Sequence, residues 1–426
     1  MDVVRYPDMV EVERILQRPA QSVEHLREPA MAVIDSVRKE GDAALLRYTL
    51  QFDGVSIASF KVSAAEFDEA EQLVSSELKS AIGLAAKNIE TFHAAQKHEE
   101  EKISTMPGVT CWRKNVGIER VGLYVPGGSA PLFSTALMLG IPARLAGCTR
   151  VVLCTPPNKS GKVHPAILYA AKLVGVTDVY RVGGIQAIAA LALGTASIPR
   201  VDKIFGPGNA YVTAAKQLVS NMGVAIDMPA GPSEVMVLAD ESCNPSFAAA
   251  DLLSQAEHGA DSQVALVSNS PSAIEQILNA LKQQVDKLER KEIAAKVLEK
   301  SKALLVRNED EMVCVANMYA AEHLIIATKN AEQLAERIVN AGSVFIGLYS
   351  PESAGDYASG SNHALPTAGY ARSFSGVSVD SFVKKITFQH LTQEGVKNVG
   401  KIVEVMAEAE GLQAHRNAIR LRMGKG

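Results

Sequence analysis

Three apolar segments in the middle of the chain each run into a glycine-containing turn and then into a helical pattern. They read RVGLYVPGGSAPLFSTALML from Arg120, DVYRVGGIQAIAALAL from Asp178 and VDKIFGPGNAYVTAAKQLV from Val201. A strand that is repeatedly followed by a helix returns to its own sheet by a crossover, so this alternation predicts a parallel sheet with right-handed connections. The pattern therefore indicates an α/β fold.

A second series of strands follows Pro232. Its apolar stretches read SEVMVLAD, QVALVSN, ALLVR and HLIIAT, with a helix predicted after Asn244. The first hundred residues instead repeat apolar positions at three- and four-residue spacing, which is typical of amphipathic helices. The final segment, from about Val379, also favours helices and is amphipathic enough to dock on another surface. We expect a second parallel arrangement of strands and helical segments at both ends of the chain.

Composition narrows the class of function. The chain has 426 residues, of which 47% are hydrophobic and 21% charged, as in an ordinary globular protein. A net charge of -4 with scattered Lys and Arg residues disfavours nucleic acid or an anionic membrane as a partner. The N-terminus lacks a signal-peptide pattern, and no apolar stretch reaches the roughly 18 residues of a membrane span. Five cysteines without a CxxC pair disfavour disulfides and a thiolate metal site, so we expect a cytoplasmic protein of small-molecule chemistry.

The glycine turns after the first three strands form one candidate site. They contain Gly127 with Gly128, Gly183 with Gly184, and Gly206 with Gly208. In a parallel sheet these turns share the carboxyl edge, where main-chain N–H groups at helix N-termini bind phosphate groups. None is a GxGxxG sequence, and each alone also fits a simple tight turn, but three in succession favour a nucleotide crevice. The polar residues beside these turns, which we expect to contact a cofactor, are Tyr124, Gln186 and Asn209.

The segment QAEHGAD places two potential metal ligands three residues apart. Gln255 and His258 end a predicted helix that has Asn244 as N-cap, Pro245 at its first position and Gly259 as its stop. This spacing lets both side chains face one point. A neutral amide ligand leaves positive charge on a zinc ion, which suits a site that attracts a substrate. The alternative is a polar helix end capped by His258.

The segment NMYAAEHLIIAT places Glu322 and His323 side by side just before an apolar strand. Adjacent side chains at a strand entrance point to different sides, so a carboxylate and an imidazole can reach two atoms of one substrate. Oxidation of a hydroxyl group needs a base that takes its proton. Oxidation of a hydrated aldehyde needs a base to remove a second proton. The alternative is a polar strand start with a surface glutamate and a half-buried histidine.

Two further polar segments carry acid–base residues. The loop GDYASGSNHALPTAG contains Asp356 and His363, and Asp356 offers the carboxylate that the pair at the helix end lacks. The segment EGLQAHRNAIR contains Glu410 and His415. A plain surface loop and a solvated helix face are the respective alternatives.

Six segments together closely resemble the histidinol dehydrogenase family. They are QAEHGADSQV, AAEHLII, SPESAGDYASGSNHALPTAGYARSFSG, IFGPGNAYVT, DMPAGPSEV and LQAHRNA, and they span most of the chain. The resemblance implies two incomplete Rossmann-like domains with parallel sheets, small helical terminal domains and an intertwined homodimer. Residues 23–123 with 235–378 would form the zinc and substrate side, and residues 124–234 the NAD side. Residues 1–22 would be an N-terminal helical segment, and residues 379–426 a C-terminal helical domain that contributes to the partner subunit's site.

The same resemblance implies a role for each candidate residue. One zinc ion per subunit would have as ligands Gln255, His258, Asp356 and His415. The acid–base pair would be Glu322 and His323. The residues implied to contact substrate are Ser233, Gln255, His258, His323, Asp356, His363, Glu410 and His415. Those implied to contact NAD are Tyr124, Gln186 and Asn209.

The implied reaction oxidises L-histidinol, through L-histidinaldehyde, to L-histidine with two NAD, as the last step of histidine biosynthesis. Zinc would hold the imidazole and amino nitrogens of the substrate as a template. His323 would take the alcohol proton, and Glu322 would activate the water that adds at the aldehyde stage. Family members usually have proline before the Glu-His pair, where this chain has Ala321, and we expect reduced rigidity there rather than lost activity.

Two alternative functions stay open at this point. A sibling dehydrogenase with the same zinc and NAD scaffold would oxidise another alcohol, such as a sulfonated diol. A catalytically silent relative would bind zinc or a nucleotide as a regulator. The complete ligand set with His363 and Glu410 favours histidinol, and the intact acid–base pair disfavours a silent relative.

Overall fold

The computed structural model describes most of the chain. The described residues are 1–18, 24–97, 99–127, 131–229 and 231–425. Gly128 of the first glycine turn therefore lies outside the described residues. Within these ranges the chain forms two parallel sheets, one antiparallel sheet and the helices that pack against them, which confirms the expected α/β fold.

Strands and helices are numbered separately along the chain. The strands are β1 (Asp2–Arg5), β2 (Ile103–Met106), β3 (Val109–Gly117), β4 (Arg120–Tyr124), β5 (Arg150–Thr155), β6 (Asp178–Arg181), β7 (Lys203–Phe205), β8 (Ala225–Ile226), β9 (Glu234–Ala239), β10 (Gln263–Ser268), β11 (Lys302–Leu305), β12 (His323–Ala327), β13 (Ser343–Ile346) and β14 (Val383–Leu391). The helices are α1 (Met9–Ile15), α2 (Glu24–Glu40), α3 (Asp42–Tyr48), α4 (Ala64–Leu73), α5 (Ser76–Ala94), α6 (Phe133–Ala146), α7 (Pro165–Leu173), α8 (Gly184–Leu193), α9 (Ala210–Ser220), α10 (Pro245–Ala256), α11 (Pro271–Val285), α12 (Lys291–Lys300), α13 (Glu309–Tyr319), α14 (Ala331–Ala335), α15 (Glu352–Tyr357), α16 (Gln393–Ala409) and α17 (Gln413–Arg422). A π-helical turn lies at Thr49–Asp53, and 3₁₀ turns lie at Tyr370–Arg372 and Val379–Phe382.

The smaller parallel sheet has the strand order β6-β5-β4-β7-β8. The chain starts in the middle with β4, adds β5 and β6 on one side, and then crosses to β7 and β8 on the other. The strand order therefore reverses between β4 and β7, which in an open α/β sheet is where a ligand crevice forms at the carboxyl edge. Helices α2, α3, α8 and α9 cover one face of this sheet, and α4 to α7 cover the other.

The helices of residues 24–94 pack differently from the expected grouping, in which residues 23–123 belonged with residues 235–378. Ile34 and Leu45 of α2 and α3 lie in the core over α8 and α9, whereas Ile82 and Ile89 of α5 lie in the core under α6 and α7. These side chains are fully or almost fully buried, so the apolar surface of the smaller sheet decides where the N-terminal helices pack.

The larger parallel sheet has the strand order β1-β11-β10-β9-β12-β13. Its central strands β9 and β12 are buried on both faces. In β9, Val235 and Val237 lie in the core on one face, and Met236 and Leu238 lie in the core on the other face. The chain's first strand, β1, is an edge strand of this sheet, so the expected N-terminal helical segment begins with a strand followed by α1.

The C-terminal segment also differs from the expected helical domain. Residues 383–391 form β14, which pairs antiparallel with β3, and β3 pairs antiparallel with β2. Phe388 of β14 stacks on Trp112 of β3 with ring centroids 5.4 Å apart, a cross-strand contact that stabilises the pairing. Helices α16 and α17 follow and pack on each other. Among the described residues, no helix combines the length and apolar composition needed to cross a membrane.

Three neighbouring strands bring polar residues to the amino edge of the larger sheet. β9 begins at Glu234, β10 at Gln263 and β12 at His323, and these strands are adjacent in the order β10-β9-β12. The carboxyl end of β8, at Ile226, precedes Glu234 by eight Cα steps, which span at most about 28 Å. The amino end of β9 therefore lies within about 28 Å of the carboxyl edge of the smaller sheet, where the glycine turns are.

Candidate active site

The Glu322–His323 pair lies at the amino edge of the larger sheet. Helix α13 ends at Tyr319, and Ala320 adopts a left-handed conformation with φ of 54° that turns the chain into β12. Glu322 is 6% exposed and His323 is 3% exposed. The alternative of a surface glutamate at a polar strand start is therefore wrong, and both groups lie inside the protein.

Oxygen atoms surround the imidazole of His323. Its Nδ1 lies 3.2 Å from the main-chain carbonyl oxygen of Glu234 and donates a hydrogen bond to it. The same nitrogen lies 3.7 Å from Oε2 of Glu322 and 3.6 Å from Oε1 of Glu352. Its Nε2 lies 3.5 Å from Oδ1 of Asp356. Because the carbonyl keeps a proton on Nδ1, Nε2 is the nitrogen that can exchange a proton with a ligand.

The charges around His323 set its protonation and that of Asp356. Burial alone would lower the pKa of His323, but the carboxyl groups of Glu322, Glu352 and Asp356 outweigh it and raise the pKa to about 10. Burial would raise the pKa of Asp356, yet its contact with His323 holds that pKa below the usual value. The pair therefore favours an imidazolium beside an ionised carboxylate.

Glu322 is suited to exchange protons near neutral pH. The main-chain N–H of Glu234 donates a hydrogen bond to its Oε2 over 2.9 Å. Burial nevertheless raises the pKa of Glu322 to about 7. A carboxyl group whose pKa lies near the working pH can take up a proton and release it again, as a general base requires.

Glu352 is a member of the site that the sequence analysis missed. It is 1% exposed, burial raises its pKa to about 8, and its Oε2 has no hydrogen-bond partner in the described part of the chain. His323, Glu352 and Asp356 bring potential metal-binding atoms within 4.8 Å of one another. Glu352 and Asp356 stand four residues apart on α15, so helical spacing was the signal that could have identified it.

Gln255 and His258 meet as expected. Helix α10 begins after Asn244, whose side chain accepts a hydrogen bond from the N–H of Ser246, and it ends at Ala256, so His258 lies just beyond its last turn. Nε2 of Gln255 lies 3.4 Å from Nδ1 of His258. Gln255 is 0% exposed, and its Oε1 has no hydrogen-bond partner within the described ranges.

The protonation states of the histidines near Asp356 suit metal or substrate binding. Burial lowers the pKa of His258, with the charge of Asp356 opposing the effect. Burial likewise lowers the pKa of His363 against the charge of Asp356, and Nε2 of His363 is buried with no hydrogen-bond partner among residues the structure describes. Both imidazoles are therefore neutral at neutral pH and can donate a lone pair. Ser233 is partly buried directly before Glu234, where its carbonyl oxygen accepts a hydrogen bond from the N–H of Gln263 over 3.1 Å.

Glu410 and His415 do not join this cluster in one copy of the chain. Glu410 caps the end of α16, His415 lies in α17, and both side chains are exposed. No hydrogen bond or ion pair connects either residue to Gln255, His258 or Asp356 within the part of the chain that is described. Gln255 and His258 therefore meet at the end of α10, Asp356 lies close enough for its charge to act on His258, and His415 lies on a separate, exposed helix.

Tyr124 and Gln186 form a second polar group at the carboxyl edge of the smaller sheet. The hydroxyl oxygen of Tyr124 accepts a hydrogen bond from the N–H of Gly184 over 3.1 Å, and burial raises the pKa of this phenol to about 12. Gln186 is 1% exposed, and neither its amide oxygen nor its amide nitrogen has a hydrogen-bond partner in the described residues. A buried amide without partners is costly in a folded protein unless a ligand satisfies it.

The third glycine turn, which follows β7, has no room for a side chain at Gly206. A Cβ atom on Gly206, whose φ is 126°, would lie 2.1 Å from the carbonyl oxygen of Tyr124. The carbonyl oxygen of Gly206 accepts a hydrogen bond from Lys216 and its N–H donates one to Asp227, each over 2.8 Å, so a buried ion pair fixes the turn. Asn209 follows as the N-cap of α9, with its side-chain oxygen accepting from the helix over 3.1 Å.

Comparison with known proteins gives one consistent result. The family model described as histidinol dehydrogenase matches residues 16–423. Histidinol dehydrogenase of Bacteroides thetaiotaomicron is 56% identical over 423 residues, which cover 99% of this chain and 99% of that protein. The enzyme of the same name from Bacteroides fragilis is 57% identical over 423 residues, with the same coverage of both chains. A crystal structure of histidinol dehydrogenase from Elizabethkingia anophelis has a TM-score of 0.97 and 52% sequence identity and covers 100% of this chain and 98% of that one.

Proposed function

The chain belongs to the histidinol dehydrogenase family, and from this we propose which of its residues carry out the reaction. The activity is the NAD-dependent, four-electron oxidation of L-histidinol through L-histidinaldehyde to L-histidine, the last step of histidine biosynthesis. Identity of 56% over 99% of both chains supports this activity rather than a sibling that oxidises another alcohol such as a sulfonated diol. The observation that carries the assignment of roles is the buried Glu322–His323 pair beside Asp356, Gln255 and His258.

His323 is the proposed base for the alcohol. Its Nδ1 proton is held by the carbonyl oxygen of Glu234, so Nε2 is the atom that accepts the hydroxyl proton, once the imidazolium favoured in the free site has released its own proton from that nitrogen. The carboxyl groups of Glu322 and Glu352 then stabilise the imidazolium that forms. NAD, when bound, accepts one hydride at each of the two oxidations.

Glu322 is the proposed base for the second oxidation. Histidinaldehyde must take up water before it can lose a second hydride, and the attacking water must lose a proton. The raised pKa of Glu322 lets its carboxylate take that proton near neutral pH, and its hydrogen bond from Glu234 fixes one carboxylate oxygen. The second carboxylate oxygen is the proposed acceptor of the water proton.

The residues present fit a zinc ion. The fully buried Oε1 of Gln255, which lacks a hydrogen-bond partner among the described residues, lies on a side chain that contacts His258, a histidine that burial keeps neutral. Asp356 adds an ionised carboxylate. We propose that these three residues hold zinc with His415 of a second copy, and that zinc, when bound, holds the imidazole and amino nitrogens of the substrate. Ser233, His363 and Glu410 are the further proposed substrate contacts.

NAD is proposed to bind at the carboxyl edge of the smaller sheet. The family uses NAD, and the strand order of this sheet reverses at that edge, where the glycine turns lie. The unpartnered amide of Gln186, described above, supports a polar ligand at this position. Tyr124 and Asn209 are the other two proposed contacts, and both flank the point where the strand order reverses.

A homodimer is proposed because the C-terminal helices expose an apolar surface. Ile402, Val405 and Met406 of α16 are 51%, 51% and 58% exposed, and Leu421 of α17 is 65% exposed. A second copy of the chain would cover this surface and would place His415 and Glu410 in the neighbouring site. A cytoplasmic location stays a prediction from the cysteine content.

The proposed function is tested by following NADH formation when L-histidinol is added to zinc-loaded protein. Two NADH per histidinol, with loss of activity after chelation and recovery on adding zinc, are expected. A panel of other alcohols, including a sulfonated diol, serves as the control for substrate identity. Turnover of a different alcohol without turnover of histidinol would contradict the assignment.

A further inference from the structure

Arg18, from the segment after α1, reaches into the amino edge of the larger sheet. Its guanidinium binds the carboxylate of Glu234 with two hydrogen bonds, from Nε to Oε1 and from Nη2 to Oε2, the second over 2.7 Å. The Arg18 side chain is 20% exposed and that of Glu234 is 2% exposed. The N–H of Ala368 donates a further hydrogen bond to Oε1 of Glu234 over 3.0 Å. Both oxygens of the Glu234 carboxylate therefore have hydrogen-bond donors from the protein itself.

Arg18 also holds the chain on the other side of the catalytic pair. Its Nη2 donates a hydrogen bond to the carbonyl oxygen of Tyr319 over 2.8 Å, and its guanidinium lies over the Tyr319 ring, 4.0 Å from the ring centroid. Tyr319 ends α13, three residues before Glu322. One guanidinium thus binds both the start of β9 and the turn that leads into β12.

The main chain of Glu234 makes the two contacts that orient the catalytic pair. Its N–H donates to the carboxylate of Glu322, and its carbonyl oxygen accepts from Nδ1 of His323. A shift of the Glu234 main chain relative to β12 would change both contacts together. The catalytic geometry therefore depends on how firmly Glu234 is held.

We propose that Arg18 is a positioning residue for the reaction, which acts through Glu234 to set the orientation of Glu322 and His323. This inference rests on the roles assigned to these two residues under the proposed function. The pair Arg18–Glu234 joins residues 216 positions apart, so the N-terminal segment takes part in catalysis without touching the substrate.

The test compares Arg18→Met, Arg18→Lys and wild-type protein. Arg18→Met removes the charge, the two hydrogen bonds to Glu234 and the one to Tyr319, and a misplaced catalytic group can cost about 10²-fold in rate. We expect kcat for histidinol to fall by roughly that factor while KM changes little, because no substrate contact is lost. Arg18→Lys keeps the charge without the paired geometry and should recover part of kcat.

Arg120→Met is the matched control, since Arg120 binds Asp202 through the same paired geometry at the opposite end of β4 from Tyr124. The Arg120→Met enzyme should keep the wild-type kcat, and its only expected change is a lower stability. A folded Arg18→Met enzyme with wild-type kcat overturns the proposal, as does a loss of kcat equal to that of the control.

A crystal structure of Arg18→Met provides a readout that does not depend on turnover. We expect the distance between the Glu234 carbonyl oxygen and Nδ1 of His323 to lengthen beyond hydrogen-bonding range, and an unchanged distance overturns the proposal. If Arg18→Met does not fold, the same distance is measured in Arg18→Lys. Failure of the wild-type protein to oxidise histidinol would reject the proposed function alone, because the structural comparison still decides the role of Arg18.

Discussion

The amide nitrogen of Gln255 lies 3.4 Å from Nδ1 of His258, while the amide oxygen of Gln255 is buried without a hydrogen-bond partner in the described ranges. Leaving a buried polar atom unpaired costs about 1–3 kcal/mol of folding free energy. If Gln255 had only a structural role, an apolar residue at this position would therefore make the folded protein more stable. The arrangement is explained if the oxygen serves a ligand.

Replacement of Gln255 by leucine should separate stability from metal binding. We expect the metal-free Gln255→Leu protein to melt at or above the wild-type temperature, because the unpaired oxygen is gone. Zinc should raise the melting temperature of the wild type and have little effect on the variant. The control is Gln284→Leu, which removes an amide that is already bonded to the Ser246 carbonyl over 3.0 Å. Equal zinc stabilisation of Gln255→Leu and wild type would contradict the ligand role.

Glu322→Gln should divide the reaction into its two oxidations. The amide oxygen can still accept the hydrogen bond from the Glu234 N–H, so the site keeps its shape, but the amide cannot take a proton from water. We expect alcohol oxidation to persist in part, with one NADH per histidinol and accumulation of the aldehyde. Product analysis beside the NADH yield measures this. If both oxidations are lost equally, the water-activating role is wrong.

Mixing two inactive variants should restore activity if the site is shared between subunits. His415→Asn removes a proposed zinc ligand from the site of the partner subunit. Asp356→Asn removes a proposed ligand from the site of its own subunit. After denaturation and joint refolding, half of the dimers are mixed and each has one intact site, so about a quarter of wild-type activity is expected. Zinc content after dialysis should recover in parallel. Activity no higher than that of the separate variants would show that His415 acts within one chain or not at all.

Gln186→Leu should weaken NAD binding selectively. The buried amide has no hydrogen-bond partner among the described residues, and a lost ligand contact of about 1–3 kcal/mol corresponds to roughly a 5- to 150-fold rise in Kd. KM for NAD should rise while zinc content and KM for histidinol stay near wild type. Steady-state kinetics with each substrate varied, together with NAD titration by calorimetry, decide the point. A change in KM for histidinol alone would be inconsistent with a cofactor contact.

Stability should fall in mild acid because of His93. This residue is 0% exposed, its Nδ1 donates to the carbonyl oxygen of Ile89 over 2.9 Å, and its Nε2 faces the amide nitrogen of Asn362 at 3.4 Å, next to His363. Burial holds the pKa of His93 below its ordinary value of 6.5. The unfolded chain therefore binds the proton first, and stability falls as the pH drops below about 6.5.

The measurement is the melting temperature at about pH 7.5 and about pH 5.5 for wild type, His93→Gln and the exposed control His390→Gln. The acid-induced drop should be smaller in His93→Gln, which cannot be protonated, and unchanged in the control. Identical drops in all three proteins would mean that other groups cause the acid sensitivity.

The alternation of strands and helices was readable from the sequence because it depends on local periodicity and on glycine turns. The same holds for Gln255 with His258, and for Glu322 with His323, whose spacing on one helix end or one strand start already places them together. The N-cap at Asn244 and the apolar runs that follow the first residue of β9 and of β12 are likewise local features. Residues 383–391 were expected in a helical segment, although they form β14, because their pairing with β3 is a contact between distant parts of the chain.

The tertiary structure alone decided which distant groups meet. Strand order brings the starts of β9 and β12 side by side, and this places Glu234 against His323 although 89 residues separate them. The same packing brings Arg18 to the carboxylate of Glu234 and the carboxyl group of Glu352 to the imidazole of His323. Local sequence patterns determine what each element is and which residues share a face, since those depend on a few neighbouring dihedral angles. Which faces meet depends on burying apolar surface from the whole chain at once, so the environment that sets the pKa of His323 exists only in the folded protein.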